Sequence, residues 1–277
     1  MITPLWPHPA ALLKVQKRRI IVLADLHIGW EMALSGKGIH VPTQTPKLLG
    51  RLKDLILRYK PEELLILGDV KHTIATAEIS EWQDVPDFFI ELRKLVQTIR
   101  VIRGNHDGNL EPLLPENIEL LPATGTILGK VGFFHGHQWP PLDILTCKAI
   151  VMGHVHPVVS LRDPAGFRIT RQVWIKANCN RKQLAKTLKQ KHKPKSIGQT
   201  EARETGTEFL QLFIMPSFND FLGGRPLNER RVGADGKTGV AVGPVLRSEA
   251  VDMEGAETYL LDGSFLGTLG QLRMLGW

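Results

Sequence analysis

At 277 residues the chain is long enough to bury one substantial core, and its 43% apolar content is ordinary for a globular fold. A net charge of +7 and an isoelectric point near 9.5 favour polyanionic partners through counterion release, without separating DNA from RNA or an anionic membrane surface. Two cysteines give no disulfide framework, residues 1–11 lack the basic start and apolar stretch of a secretion signal, and no apolar run is long enough to span a bilayer, so a soluble cytoplasmic protein without membrane attachment is expected.

In chain order, the first apolar run, Ile20 to Ala24, is short and mostly β-branched, reads as a buried strand, and ends on Asp25-Leu-His27. Glu31 reads as a first-turn helix residue favoured by the helix dipole. Thr45 precedes Pro46, after which Leu48, Leu49, Leu52, Leu55 and Ile56 repeat at three and four, so residues 46–59 are expected to form an amphipathic helix packed on a sheet. Leu64 to Leu67 is a second strand, ending on Gly68-Asp69 with His72 just beyond. A second helix is expected from Pro86 to Thr98, on Phe89, Leu92, Leu95 and Val96, with Asp84 as its cap. Strands at Ile99 to Ile102, Val131 to Phe134 and Ala149 to Met152 then run into Gly104-Asn105-His106-Asp107, His135-Gly-His137 and Gly153-His154-Val-His156. After Gly153 the alternation stops, and β-rich segments follow at 158–161, 168–175, 210–215, 258–261 and 265–269.

Seven of the ten histidines (27, 72, 106, 135, 137, 154 and 156) therefore fall at or just past carboxyl ends of strands, the edge of an open α/β sheet where loops converge and ligands bind. In extended chain, residues i and i+2 point to the same side, so Asp25 with His27, and His154 with His156, are each expected to present two side chains to one cavity. Asp69 suits a bridging role, because a carboxylate can give its oxygens to a pair of cations. Gly68, Gly104, Gly136 and Gly153 permit the tight turns that swing the clusters toward one point. Every candidate ligand is Asp, Asn or His, and neither Cys147 nor Cys179 belongs to a C-x-x-C or Cys/His pair; this favours mixed nitrogen and oxygen coordination of a divalent ion over a thiolate zinc site.

The five clusters, in this order, resemble the pattern D-x-H, G-D, G-N-H-[DE], H-G and G-H-x-H of the calcineurin-like metallophosphoesterases. Gly68-Asp-Val-Lys-His72 and G-N-H-D look more like the nuclease branch related to SbcD than the protein phosphatases, which carry G-D-x-V-D-R-G and G-N-H-E. The segments Ala24-Asp-Leu-His-Ile-Gly-Trp-Glu31, Gly38-Ile-His-Val-Pro-Thr-Gln44 and Pro216-Ser-Phe-Asn-Asp-Phe-Leu-Gly-Gly224 look closer still to small archaeal SbcD-related phosphoesterases and bacterial ligase-associated endonucleases. The resemblance covers residues 5–176 well and 208–270 loosely. It implies a single domain over residues 1–277 with a four-layer αββα sandwich fold, in the mixed α/β (α+β) class. It also implies two divalent ions, Mn2+ first, with Fe, Zn, Ni or Mg as alternatives. One ion would lie on Asp25, His27 and His156, a second on Asn105, His135 and His154, and Asp69 between them. Such a pair clamps a phosphodiester, lowers the pKa of a bridging water and stabilises the charge of an in-line displacement. His106 would be the general acid, Asp107 would orient it, His72 would be a second imidazole facing substrate, and His137 would stand behind the ligands.

Between Lys176 and Lys195 there are eight Lys or Arg and no acid. Residues 177–207 are expected to form a flexible basic excursion, which is read either as a solvated loop or as a phosphate-backbone clamp beside the active site, with Lys182, Lys186 and Lys189 binding substrate. The glycine-rich stretch from Gly223 to Gly243 is expected to be a mobile loop and lacks a P-loop pattern. His8, His40 and His192 are taken as ordinary. The expected activity is a metal-dependent phosphodiesterase acting on DNA or RNA. An alternative is hydrolysis of small or cyclic phosphodiesters, and a third reading is a non-catalytic scaffold, against which the presence of His106 argues. A helicase or ligase partner and the oligomeric state stay open.

Overall fold

The structure is a computed structural model, described here for residues 2–75, 77–191, 207–229 and 242–275. The chain begins with β1 (Ile2–Pro4), β2 (Ala10–Val15) and β3 (Arg18–Leu23), an antiparallel meander. From β3 onward the first sheet is parallel, through β4 (Glu63–Ile66), β5 (Thr98–Ile102) and β6 (Ile118–Leu121), in the order β1 to β6. Its crossovers carry α1 (Trp30–Ser35), α2 (Thr45–Tyr59) and α3 (Ile79–Arg93). The second sheet is built from β7 (Thr126–Leu128), β8 (Val131–Phe134), β9 (Ala149–Met152), β11 (Arg168–Asn180), β12 (Phe209–Ile214), β13 (Val251–Leu260) and β14 (Phe265–Thr268), with β10 (Val158–Arg162) paired to β11. The helices α4 (Arg181–Lys191) and α5 (Leu269–Met274) complete the chain's regular elements among the described residues.

Period-two alternation decides which way each strand's side chains point. In β3, Ile21 and Leu23 pack with Leu48, Leu52 and Leu55 of α2 and Phe88, Phe89 and Leu92 of α3. The intervening Ile20 and Val22 face the other way, onto Phe133, Val151, Trp174 and Met215 of the second sheet. The outer face of that sheet, including Ile150, Met152, Ile175 and Leu212, packs on Leu184 and Leu188 of α4 and Leu269 and Leu272 of α5. The result is the expected αββα layering. The parallel strands β3, β4 and β5 and the parallel set β8, β9 and β12 each align their carboxyl ends, and their loops meet at one edge of the sandwich.

Three expectations about elements change. The second helix is α3, which begins five residues before Asp84 and ends at Arg93, so Pro86 lies inside it. Its start is set by a capping box between Glu78 and Glu81, while Asp84 accepts instead from the Thr43 and Thr45 hydroxyls. Thr98 opens β5. The basic excursion is not irregular in its first part: residues 177–180 end β11, and 181–191 form α4, because Leu184 and Leu188 repeat at four and bury one face. Residues 192–206, with His192, Lys193 and Lys195, and residues 230–241 of the glycine-rich stretch lie outside the described residues. No helix among the described residues is long and apolar enough to cross a membrane.

Candidate metal centre

Five of the predicted ligands adopt left-handed backbone, four of them in place of the extended form expected: φ is 58° at Asp25, 44° at His27, 68° at His154 and 46° at His156, and 52° at Asp69. Such conformations cost of order 1–3 kcal/mol at non-glycine residues and persist only where the surroundings fix them. Here a ladder of backbone bonds does so, continuing the β3–β4 pairing beyond the strands: Asp25 N–H to the Gly68 carbonyl (3.1 Å), His27 N–H to Asp69 (2.9 Å) and Ile28 N–H to Val70 (2.8 Å). The segment after β12 closes the other side. Phe218 N–H donates to the Ala24 carbonyl, and the buried Asn219 donates its side-chain amide to the Leu26 carbonyl. Left-handed turns bring each side chain back over the sheet edge, where extended chain would carry it onward.

The side chains converge as two sets that share one carboxylate. Asp25, His27, Asp69 and His156 form one, and Asp69, His135 and His154 the other, each set offering ligand atoms within 4.8 Å of one another. Asp69 Oδ2 lies 3.3 Å from His27 Nε2 and 3.4 Å from His135 Nε2, and Asp25 Oδ1 lies 3.4 Å from His156 Nε2. Asn105 Oδ1 lies 3.1 Å from His135 Nε2, which brings Asn105 to the second set. His27 Nε2 and His156 Nε2 are buried and have no hydrogen-bond partner. Two ligands about 2.0–2.2 Å from one cation, at angles near tetrahedral or octahedral, sit roughly 3.0–3.5 Å apart. The donor set, its spacing and the orphaned nitrogens fit divalent cations.

Hydrogen bonds behind the cluster fix the tautomers. His135 Nδ1 donates to the Leu67 carbonyl (2.6 Å), which leaves Nε2 for the centre. Burial works against a charged His135, but Asp69 and Asp25 outweigh it and raise its pKa to about 9. Burial, then neighbouring histidines, lower His72, His137 and His154 to about 4, so these stay neutral at pH 7, the form that binds a cation. Burial would raise Asp69, but the adjacent His135 and His27 rings hold its carboxyl far below the usual range.

His27, His72 and His106 form a third group at the same edge, with His27 Nδ1 3.2 Å from His72 Nδ1. Asp107 does not orient His106. Its buried carboxylate accepts backbone N–H groups from Asp69, Val70 and Gly104, each at 2.8 Å, and so ties the β4 loop to the β5 loop. The ring of His106 is held instead by the His72 carbonyl, to which Nδ1 donates. Burial and the adjacent Asp69 raise Asp107 to about 6. His137 stands beside the centre, its ring 5.2 Å from His135, with a buried, partnerless Nδ1.

Lys182, Lys186 and Lys189 are not brought to this cluster. They lie on the exposed face of α4, whose first residue, Arg181, donates to the carbonyls of Leu145, Cys147 and Thr207. Those carbonyls are at the amino ends of β9 and β12, the opposite edge of the sheet from His154. Sequence reasoning also missed buried groups that hold the loops: Glu81, Lys71 and Asn219. Only Glu81 carried a signal, its place three residues after Glu78 at a helix start.

The sequence model of the calcineurin-like phosphoesterases matches residues 18–205, a span that contains every predicted ligand. The chain belongs to that family. It is a metal-dependent phosphoesterase, and it hydrolyses phosphoester bonds. Among solved structures, this phosphoesterase is similar to the nuclease MPE of Pseudomonas putida, at 20% identity and a TM-score of 0.49 over 91% of this chain and 97% of that one. It is also similar to Yfce, a phosphoesterase from E. coli, at 17% identity and a TM-score of 0.38 over 90% and 96% of the two chains. No curated protein matches the phosphoesterase.

Proposed function

We propose that this phosphoesterase is a two-metal phosphodiesterase that cleaves nucleic acid. The observation that carries the reading is the place of Asp69 in both ligand sets. Asp25, His27 and His156 would hold one ion, Asn105, His135 and His154 a second, and Asp69 both. Divalent ions bound there would polarise the phosphoryl oxygens and lower the pKa of a water.

The remaining work falls to side chains of the chain itself. With Nδ1 engaged by the His72 carbonyl, His106 has Nε2 available toward the substrate. As the oxygen of that water, its proton already released to solvent, bonds to phosphorus and the bond to the leaving oxygen breaks, a doubly protonated His106 would give its Nε2 proton to the leaving oxygen and be left neutral. His72, whose ring lies 5.5 Å from that of His106, would face the same phosphate.

Nucleic acid as the substrate is supported by the surface next to the Asp25–His27 loop. Trp30 and Phe221 lie 5.7 Å apart, and the Lys47 ammonium stands 4.9 Å over the Phe221 ring. Aromatic faces beside a cation suit stacked bases with phosphates between them. A small diester has nothing to place there. The test compares metal-reconstituted chain on a labelled oligonucleotide and on bis-p-nitrophenyl phosphate. Trp30→Ala and Phe221→Ala are expected to raise KM for the oligonucleotide and leave the small diester unchanged. Equal effects on both, or hydrolysis of the small diester alone, would favour a small-molecule phosphodiesterase.

A further inference from the structure

We propose that Glu81 acts on His106 through the peptide unit between His72 and Thr73, as a positioning residue for the proton donor. This rests on the reading of His106 given above. Glu81 is fully buried at the start of α3, and both of its carboxylate oxygens are engaged. Oε1 accepts from His72 N–H (2.9 Å) and Thr73 N–H (2.7 Å), and Oε2 from Glu78 N–H (2.9 Å).

The Thr73 N–H and the His72 carbonyl belong to one planar amide. On one edge of that plane the N–H points at the Glu81 carboxylate; on the other the carbonyl accepts Nδ1–H of His106. Successive hydrogen bonds polarise one another, so a carboxylate on the N–H side makes the carbonyl a stronger acceptor. The carbonyl in turn holds Nδ1–H of His106 and so fixes the orientation of the ring, with Nε2 left for the leaving oxygen. Glu81 thereby takes the place behind the imidazole that an adjacent carboxylate would fill, a place Asp107 leaves open because it is bound to backbone elsewhere.

The packing keeps this arrangement in register. Gly29, with φ of 87°, lies where a Cβ would come within 2.8 Å of Glu81 Cγ, so a larger residue there would displace the carboxylate. His72 N–H also donates to the Ile28 carbonyl, and the buried Lys71 ammonium contacts the Thr73 carbonyl, so the peptide is fixed from both neighbours. A helix cap alone would need only the Glu78 contact. The other oxygen faces the loop that bears His72.

The test is a double-mutant cycle on metal-loaded, full-length protein, using Glu81→Gln, Glu81→Asp, His106→Ala and the combinations. Each variant is measured on an unactivated dinucleotide diester and on bis-p-nitrophenyl phosphate, with metal content and the thermal midpoint determined alongside. Glu81→Gln is expected to lower kcat on the unactivated diester by about 10–100-fold, the range for residues that orient a catalytic group from behind. It should leave KM and metal content unchanged, cost less with the activated aryl leaving group, and cost nothing further in the His106→Ala background. Glu81→Asp should fall between the two. A loss that multiplies with that of His106→Ala, affects both substrates equally or accompanies metal loss would overturn the proposal, as would failure of both Glu81 variants to fold. If His106→Ala itself leaves the unactivated diester unaffected, it is the assignment of His106 that fails.

Discussion

Among single residues, Asp69 and His106 separate cleanly. Asp69→Ala should lose both bound metal and activity, because its oxygens are shared by two ligand sets. His106→Ala should keep its metals and lose about 10²–10⁴-fold in turnover of a poor leaving group, as expected for a general acid; metal analysis beside steady-state kinetics distinguishes the two. The thiols should behave as packing. Burial pushes Cys147 up to about 11 and Cys179 up to about 12, so almost no thiolate exists at pH 8. Reaction with a thiol reagent should be slow in the native protein and fast after unfolding, and rapid native labelling would contradict the placement. The candidate ligands were legible because Asp, Asn and His stand directly behind apolar runs, and the structure brings them together. Their conformation was not, since the left-handed backbone is held by partners far along the chain, Gly68 and Asn219 for Asp25 and the Asp25 carboxylate for His154. The same holds for Asp107, whose backbone partners at Asp69 and Val70 no local pattern reveals.

At the level of elements, α2 was readable from its apolar repeat and Pro46, whereas α3 was misplaced because Pro86 was read as a helix start. Proline does favour the first turn, but the Glu78–Glu81 box starts this helix earlier and tertiary packing of Val85, Phe88 and Phe89 retains the proline within it. For α4, charge density hid a helix: the lysines suggested solvated chain, while Leu184 and Leu188 bury a face against the outer side of the second sheet. Leu188→Ala should therefore destabilise the protein by about 2–5 kcal/mol, read from denaturant unfolding. Replacing Lys182, Lys186 and Lys189 together with Gln should leave KM for a dinucleotide unchanged, since α4 is anchored at the amino ends of β9 and β12. A rise in KM for so short a substrate would return α4 to the substrate path.

For the whole molecule, the sandwich serves to bring the carboxyl ends of two parallel strand sets to one edge. The first sheet supplies Asp25, His27, Asp69 and Asn105, and the second supplies His135, His154 and His156, so the centre straddles the interface between the sheets. Ions bound there would tie the two layers together, and they bind the folded state only. Metal should accordingly raise the thermal midpoint, by an amount equivalent to about 2.7 kcal/mol at a hundredfold excess over Kd, and chelation should reverse it. The most direct test of the central claim is electron paramagnetic resonance during titration of the metal-free chain with Mn2+. Occupancy reaching two ions per chain, with the spectrum of a spin-coupled pair that Asp69→Ala abolishes, is the predicted result; saturation at one ion with an isolated-ion spectrum would contradict a carboxylate-bridged centre.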